Sequence, residues 1–298
     1  MKSTLLKSVA QRVLFLASLA FFAGCVEPED QPDPPPAPID EWKQKDNFNG
    51  PGRGQAASFV IGDKLYVGTG LLSYDTFEKT NAAAFAIGNK GYLGTGETDA
   101  LQKDFWEYDP ATDRWVRKAN FPGVARRQAA AFSAAGKGYL GTGTTDSDKL
   151  GDFWEYDPAA DRWTQKASFP GSPQYGAGVF VMEEKGYLMG GSGISGSHGI
   201  LWQYSPALNQ WERKTAFQET FDGSSAFVIG QKAYVLKGST DRFLEYDAVT
   251  NTWSTKGRFP GSPRVYPVSF AAGKKGYLVT GLNYTSTHTA NELWEYTP

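Results

Sequence analysis

Between residues 126 and 171 the chain passes through four apolar stretches separated by turn residues, and most of the chain after Trp42 repeats that plan. The first stretch, AAAFSAA at 129–135, is small and apolar. GKGYLGTG comes immediately after it, so Gly136-Lys137 is expected to be a two-residue hairpin turn with positive φ. DFWEYD at 152–157 alternates with the strand period of two, Phe153, Glu155 and Asp157 on one face and Trp154 and Tyr156 on the other, which predicts a half-buried strand. The next turn, 157–161, carries Pro158 early and Asp161 where a left-handed residue is tolerated; Asn209 and Asn251 hold that place in later copies. Trp163 opens the fourth strand and FPG closes it.

Centred on one tyrosine per copy, the repeats fall at Tyr66, Tyr92, Tyr139, Tyr187, Tyr234 and Tyr277, spaced by 26, 47, 48, 47 and 43 residues. A second register pairs Tyr108 with Trp115, Tyr156 with Trp163, Tyr204 with Trp211 and Tyr246 with Trp253, each seven positions apart. Four short strands recurring at such a period are the mark of a propeller blade. The apolar first strand, the glycine ending the second and the Tyr/Trp spacing resemble kelch repeats over residues 42–298. The double glycine of that family survives here only as Gly190-Gly191; elsewhere it is Thr-Gly or Lys-Gly, as at Thr142-Gly143 and Lys237-Gly238. The resemblance implies an all-β fold, a kelch-type β-propeller.

The segment 41–50, EWKQKDNFNG, matches 114–123, RWVRKANFPG, so the domain starts on a fourth strand without its first three. Residues 268–296 supply three strands without a fourth. Pairing Trp42 beside Trp294 is therefore expected to close the ring from both termini and remove a free edge. The short first spacing costs one outer hairpin, which gives a six-bladed ring with a stunted first blade, 71–77 standing in as a single replacement strand. A five-bladed ring with a spare hairpin is the alternative. Without its outer strands the first blade is expected to be the least protected.

Ahead of this domain (41–298), residues 1–24 carry Lys2, Lys7 and Arg12, a ten-residue apolar run from Val13 to Phe22, and then Ala23-Gly24-Cys25, the pattern of an export signal. Cys25, the single cysteine, stands where a bacterial lipoprotein signal places it. The stretch resembles a lipobox, which implies acylation of Cys25 and a bacterial outer-membrane lipoprotein, displayed on the surface or facing the periplasm. One cysteine permits no internal disulfide. Residues 25–40 then form an acidic, proline-rich linker; at about 3.1 Å per residue in an extended polyproline form, its 13 residues 26–38 reach roughly 40 Å. Removing 1–24 takes three positive charges from a net −2, leaving −5, so nucleic-acid binding is disfavoured.

Candidate chemistry lies in the loops entering the inner strands, which ring the channel mouth. Thirteen residues before each tyrosine stand Arg53, Lys79, Arg126, Gln174, Phe221 and Arg264; the next position holds Gly54, Thr80, Arg127, Tyr175, Asp222 and Val265, and the next Gln55, Asn81, Gln128, Gly176, Gly223 and Tyr266. Arg53, Lys79, Arg126, Arg127, Tyr175, Asp222, Arg264 and Tyr266 are the candidate ligand residues, arginine supplying paired donors for a carboxylated or hydroxyl-rich ligand and tyrosine a stacking face. Solvated arginines packed over loops are the blander alternative. No cofactor or metal is expected. His198 and His288 fall in non-adjacent repeats without a third ligand, and Asp146, Asp148 and Asp152 read as a polar turn. The copper oxidases of the galactose oxidase type resemble this repeat, but they need a cysteine that is here assigned to the lipid. The recurrent tryptophans 115, 163, 211 and 253 are expected to fill the seams between sheets, and the recurrent Glu107, Glu155, Glu245 and Glu295 to be solvent-facing strand residues.

Together these features point to a monomeric, lipid-anchored, non-enzymatic module of the bacterial envelope that binds a glycan or a protein partner. The alternative is a metal-independent sugar mutarotase or epimerase similar to the kelch-type sialic acid mutarotases. A carboxylate meeting the arginine cluster, with Asp222 as first choice, is what separates the two.

Overall fold

Short β-branched and aromatic stretches punctuated by glycine leave little room for helix, and every regular element is a strand in the computed structural model, which describes residues 40–47, 52–70, 79–194, 196–197, 199–217, 221, 223–283 and 289–298. No helix long and apolar enough to cross a membrane occurs among those residues. The signal, Cys25, the linker up to residue 39, the replacement strand at 71–77, Asp222, His198 and His288 lie outside the described residues.

Five sheets have four strands each, in antiparallel order. In chain order the second sheet joins Ala83–Ile87, Lys90–Gly94, Phe105–Asp109 and Arg114–Arg117; the third runs from Ala130–Ala134 to Arg162–Gln165, the fourth from Gly178–Met182 to Gln210–Arg213, and the fifth from Ser225–Ile229 to Thr252–Arg258. The last sheet combines Val268–Ala272, Lys275–Val279 and Leu293–Thr297 with the early strand Glu41–Gln44. Among the described residues the first sheet holds only Ala57–Ile61 and Lys64–Gly68. The first strand of each sheet packs beside the first strand of the next, so the sheets radiate from a common axis as the blades of a propeller, five of them complete. Trp42 stands opposite Tyr296 and Gln44 opposite Trp294, the same register that places Trp115 opposite Tyr108 and Trp163 opposite Tyr156.

Several local expectations shift by a residue or a face. The first turn of the third sheet is Ala135-Gly136, φ 50° and 70°, because Lys137 already pairs with Ala134. Gly138 recurs in the pattern for another reason: a Cβ there would stand 2.3 Å from the Phe85 ring of the preceding sheet, and one at Gly186 2.0 Å from Phe132. Each glycine is thus the socket for its neighbour's phenylalanine. Strand Phe153–Asp157 is packed on both faces, not one, since sheets cover it from either side.

The glutamate row is corrected in the same way. Glu245 and Glu295 are buried, and Glu107 and Glu155 half-buried. They face the second strand, where the recurrent tyrosine hydroxyls donate to them: Tyr92 to Glu107 and Tyr139 to Glu155 at 2.8 Å, and Tyr277 to Glu295 at 3.0 Å. Lysines complete the row, Lys275 at 2.7 Å from Glu295 and Lys232 at 2.6 Å from Glu245. A buried carboxylate needs such partners. The hydrogen bond and charge of Lys275 outweigh burial and hold the Glu295 carboxyl below the usual carboxylate range.

Candidate functional site

The mouth of the axial channel is built by a repeated backbone device. Five of the six second strands end on two left-handed residues, for example Thr95 and Gly96 (φ 57° and 83°) and Thr142 and Gly143 (φ 56° and 95°). The threonine tolerates the conformation because its hydroxyl is used: Thr142 Oγ1 accepts from the Ala130 amide at 3.4 Å and Thr69 Oγ1 from Ala57 at 3.2 Å. The glycine is obligatory, since a Cβ on Gly96 would lie 2.6 Å from the Thr80 carbonyl. This brings the loop entering each first strand close against the turn leaving the second.

One register of those loops is left-handed in all six copies: Gln55, Asn81, Gln128, Gly176, Gly223 and Tyr266, φ between 52° and 68°. Their amides run head to tail around the axis. Asn81 donates to the Gln55 carbonyl (3.2 Å), Gln128 to Asn81 (3.1 Å), Gly176 to Gln128 (3.1 Å) and Tyr266 to Gly223 (2.9 Å). The left-handed backbone turns the side chains of this register into a cavity of about 170 Å³ at the mouth, lined by Gln55, Asn81, Gln128, Ser224 and Tyr266. There Asn81 Nδ2 donates to Gln55 Oε1 at 3.0 Å, and Gln128 Nε2 reaches across to the Tyr266 hydroxyl at 3.1 Å. Below, the channel wall carries small side chains, Ala84, Ala131, Ala226 and Ser269 among them, with Val179.

The charged residues singled out from the sequence sit elsewhere. Arg126 and Arg264 are fully buried inside their blades. Arg126 grips both oxygens of Asp152 (2.6 and 2.7 Å), caps the carbonyls of Val124 and Thr142, and lies over the Phe121 ring. Arg264 repeats this with Glu292 at 2.5 Å, Ser262 and Thr280, over Phe259. Burial opposes ionisation of Asp152 and of Glu292, but the arginine outweighs it and each carboxyl is held below its ordinary range. Lys79 bonds Asp104 at 2.5 Å and Arg53 bonds the Thr69 carbonyl at 2.7 Å. The register thirteen residues before the tyrosine thus ties the turn after the second strand to the residue before the third. Its cations hold the blade, and none of them lines the mouth cavity.

One position later, the residues form a second tier above the mouth. Arg127 bridges to Thr144 and Tyr175 pairs with Ser192. Arg127 Nη1 lies 2.9 Å from both Glu97 and Asp146, while Lys149 stands over the Tyr175 ring. Of the three aspartates in the 146–152 loop, Asp146 is drawn to Arg127 and Asp152 to Arg126, in different directions. Among the described residues no group of three or more His, Cys, Asp and Glu side chains gathers as metal ligands do.

Among the described residues Tyr266 is therefore the one sequence candidate that lines the mouth, with Arg127 and Tyr175 on the tier above it. Selecting candidates by charge misses Gln55, Asn81 and Gln128. The signal that finds them is the recurrence of Gln, Asn or Gly at one register, where Gly and Asn favour a left-handed backbone and Gln55 and Gln128 adopt it with them.

The family described as N-acetylneuraminate epimerase (NANM) matches residues 76–292 of the chain. Among solved structures, one titled "Structure of YjhT" aligns with a TM-score of 0.69 and 14% identity, covering 83% of this chain and 95% of that one; at that identity the likeness is one of fold. No curated protein matches the chain.

Proposed function

We propose, because the chain belongs to the N-acetylneuraminate epimerase family, that it interconverts the anomers of an acidic amino sugar at the mouth of its channel. The observation that carries this is the family match, and the chemistry of the mouth agrees with it. Gln55, Asn81, Gln128 and Tyr266 offer neutral donors and acceptors at fixed spacing, as sugar hydroxyls require. Arg127 on the tier above is engaged through Nη1 alone in its ion pairs, leaving guanidinium N–H groups for a sugar carboxylate. Interconversion needs a base that takes the proton of the anomeric hydroxyl while the bond from that carbon to the ring oxygen breaks, and a donor that protonates the ring oxygen. Rotation of the resulting carbonyl and reversal of both transfers gives the other anomer. We assign the base to Glu97, held by Arg127 at 2.9 Å, and the donor to the Tyr266 hydroxyl.

The test is the decay of a freshly dissolved single anomer of N-acetylneuraminate, followed by NMR with and without the purified chain. Acceleration that falls roughly a hundredfold in Glu97→Gln and tenfold in Tyr266→Phe is expected. Saturable sugar binding without acceleration returns the chain to the non-enzymatic binding module, and silence in both removes the mouth as a sugar site.

Three finer readings accompany this one. The two-stranded first sheet is read as a sixth, stunted blade, supported by its inner strand lying between those of the second and last sheets, with Glu41–Gln44 closing the ring. The domain plan remains 1–24 signal, 25–40 lipidated linker and 41–298 propeller, with Cys25 as a lipid anchor to the bacterial outer membrane. The support is sequence alone, and a Cys25→Ser variant that stays in the membrane fraction would overturn it. The propeller is proposed to act as a monomer, without nucleic acid, metal or cofactor.

A further inference from the structure

Below the mouth, the wall of the channel is made of backbone as much as of side chains. Each first strand ends its sheet, and in all six copies a two-residue turn joins it to the second strand, as Ile61 pairs with Lys64 and Ala134 with Lys137. Residues of such a pair alternate between those that exchange both backbone hydrogen bonds with the partner strand and those whose amide and carbonyl point away from it. In the third sheet Ala134 and Phe132 are of the first kind, so Ala131 and Ser133 are of the second; Ala84 and Ala86 match them in the second sheet. Away from the second strand lies the axis, since the first strands pack side by side around it.

Two stacked sections of the channel are walled in this way, one of about 230 Å³ beneath the mouth cavity and one of about 430 Å³ below that. The three spaces are continuous: Ala56, Ala82, Ala129 and Ala177 border both the mouth cavity and the upper section, and Ala84, Ala131 and Ala226 border both sections. Among the described residues no charged side chain lines either section. The Ser269 hydroxyl donates to the Ala226 carbonyl at 2.8 Å, so a hydroxyl is already one partner that these edge groups take. Backbone amides and carbonyls need such partners. A hydroxyl both donates and accepts, which suits an edge that presents both kinds of group; an ion would lose its water here, and a hydrocarbon would strip water from the edge without replacing it.

We propose that the upper section is a subsite for an open-chain polyol, the exocyclic tail of the acidic sugar bound above it; this rests on the reading of the mouth as a sugar site. The carboxylate and the glycerol-like tail of N-acetylneuraminate are borne by the two carbons that flank the ring oxygen, and they leave the ring in diverging directions. With the carboxylate on the Arg127 tier and the ring oxygen at the Tyr266 hydroxyl, the tail is the part directed down the axis. There its hydroxyls replace channel water against the strand edges, hydrogen bond for hydrogen bond. An acidic sugar without such a tail gains nothing from this section.

The test compares N-acetylneuraminate with the analogue whose tail is cut back to a single hydroxymethyl group by mild periodate and borohydride, both given to the full chain. The kcat/KM for anomer interconversion is expected to favour the full tail by roughly tenfold or more, and where the sugars bind without turnover the same ratio is read in Kd. Ala84→Leu and, as a second variant, Ser58→Leu put bulk into the upper section from neighbouring sheets, and each should bring that preference down to about threefold or less. Equal treatment of the two sugars by the parent chain overturns the subsite while leaving the mouth as a sugar site, and it does so whether or not either variant folds. A preference that persists in both folded variants overturns it as well. Silence toward both sugars instead removes the mouth as a sugar site, and the subsite with it.

Discussion

Residues 107–115, EYDPATDRW, and residues 155–163, EYDPAADRW, differ at a single position, Thr112 against Ala160, and form the same hairpin with the same register. Tyrosine, left-handed aspartate and tryptophan sit in matching places in both. Trp163 nevertheless closes on Phe105 at 4.9 Å and Phe121 at 5.3 Å, whereas among the described residues Trp115 finds only the Phe59 ring across the seam, at 6.5 Å. The hairpin is a local product of its turn chemistry, but its burial is conferred by whatever the preceding sheet brings to the other side. A repeat protein's stability is to first order a sum of units and of interfaces between neighbours, and these two hairpins separate the two terms.

The largest expected effect tests that separation directly. Trp163→Ala should cost about 3–5 kcal/mol by denaturant unfolding, through lost packing and a cavity, and Trp115→Ala less than about 1 kcal/mol. Equal costs would break the comparison. Next comes the tie at the start of each sheet. Arg126→Met leaves Asp152 without the fork that holds both its oxygens, and about 2–4 kcal/mol should be lost, less than for a wholly buried pair because Asp152 retains some exposure. Lys79→Met, which breaks one bond to Asp104, should cost about 1 kcal/mol. Third, Asn209→Ala removes an acceptor used by both the Tyr204 hydroxyl and the Ala167 amide and should cost about 1–2 kcal/mol, against less than about 1 for Asp113→Ala, which accepts from Tyr108 alone in the described structure.

The smallest effect is a pH dependence that only the filled seam should show. Burial works against ionisation of Asp161, but the Ala119 amide and the Tyr156 hydroxyl outweigh it, so its folded pKa lies below the ordinary value. A depressed carboxyl pKa stabilises the fold above the unfolded value, about 3.9, and that contribution is lost as the pH falls through the folded value. Asp161→Asn, which copies the residue already present in the fourth and fifth sheets, should therefore flatten the loss of the unfolding midpoint between pH 5 and pH 2 slightly relative to the parent chain. A variant with unchanged acid sensitivity would show that this seam does not contribute to it.

Much of the blade is legible in the sequence because its signals are local. The left-handed place at Asp161, Asn209 and Asn251, the alternation in DFWEYD and the matching of 41–50 to 114–123 all arise from turn chemistry and period. What those residues do beyond their own hairpin is not legible. Asp161 reads as a turn residue, yet its carboxylate also reaches the neighbouring sheet. The glutamates read as solvent-facing because alternation alone does not reveal that a propeller covers both faces of its sheets. The candidate site is obscured for a related reason. Arg126 and Arg264 vary among the repeats as ligand residues do, yet each is spent on an acid of its own blade, Asp152 and Glu292, as Lys79 is on Asp104. Gln55, Asn81 and Gln128 carry no charge to mark them, although the backbone conformation they share points them at the axis.

By itself, then, the sequence determined the repeating unit: four strands, their turns and the tyrosine–tryptophan pairing, each set by residues within about ten positions of one another. Tertiary structure alone decided which faces are buried, which cations are structural and which register rings the channel. Those outcomes depend on contacts between sheets some 40 to 50 residues apart, one repeat period, where the free energy lies in what the neighbour supplies and a repeat read in isolation contains no record of its neighbour.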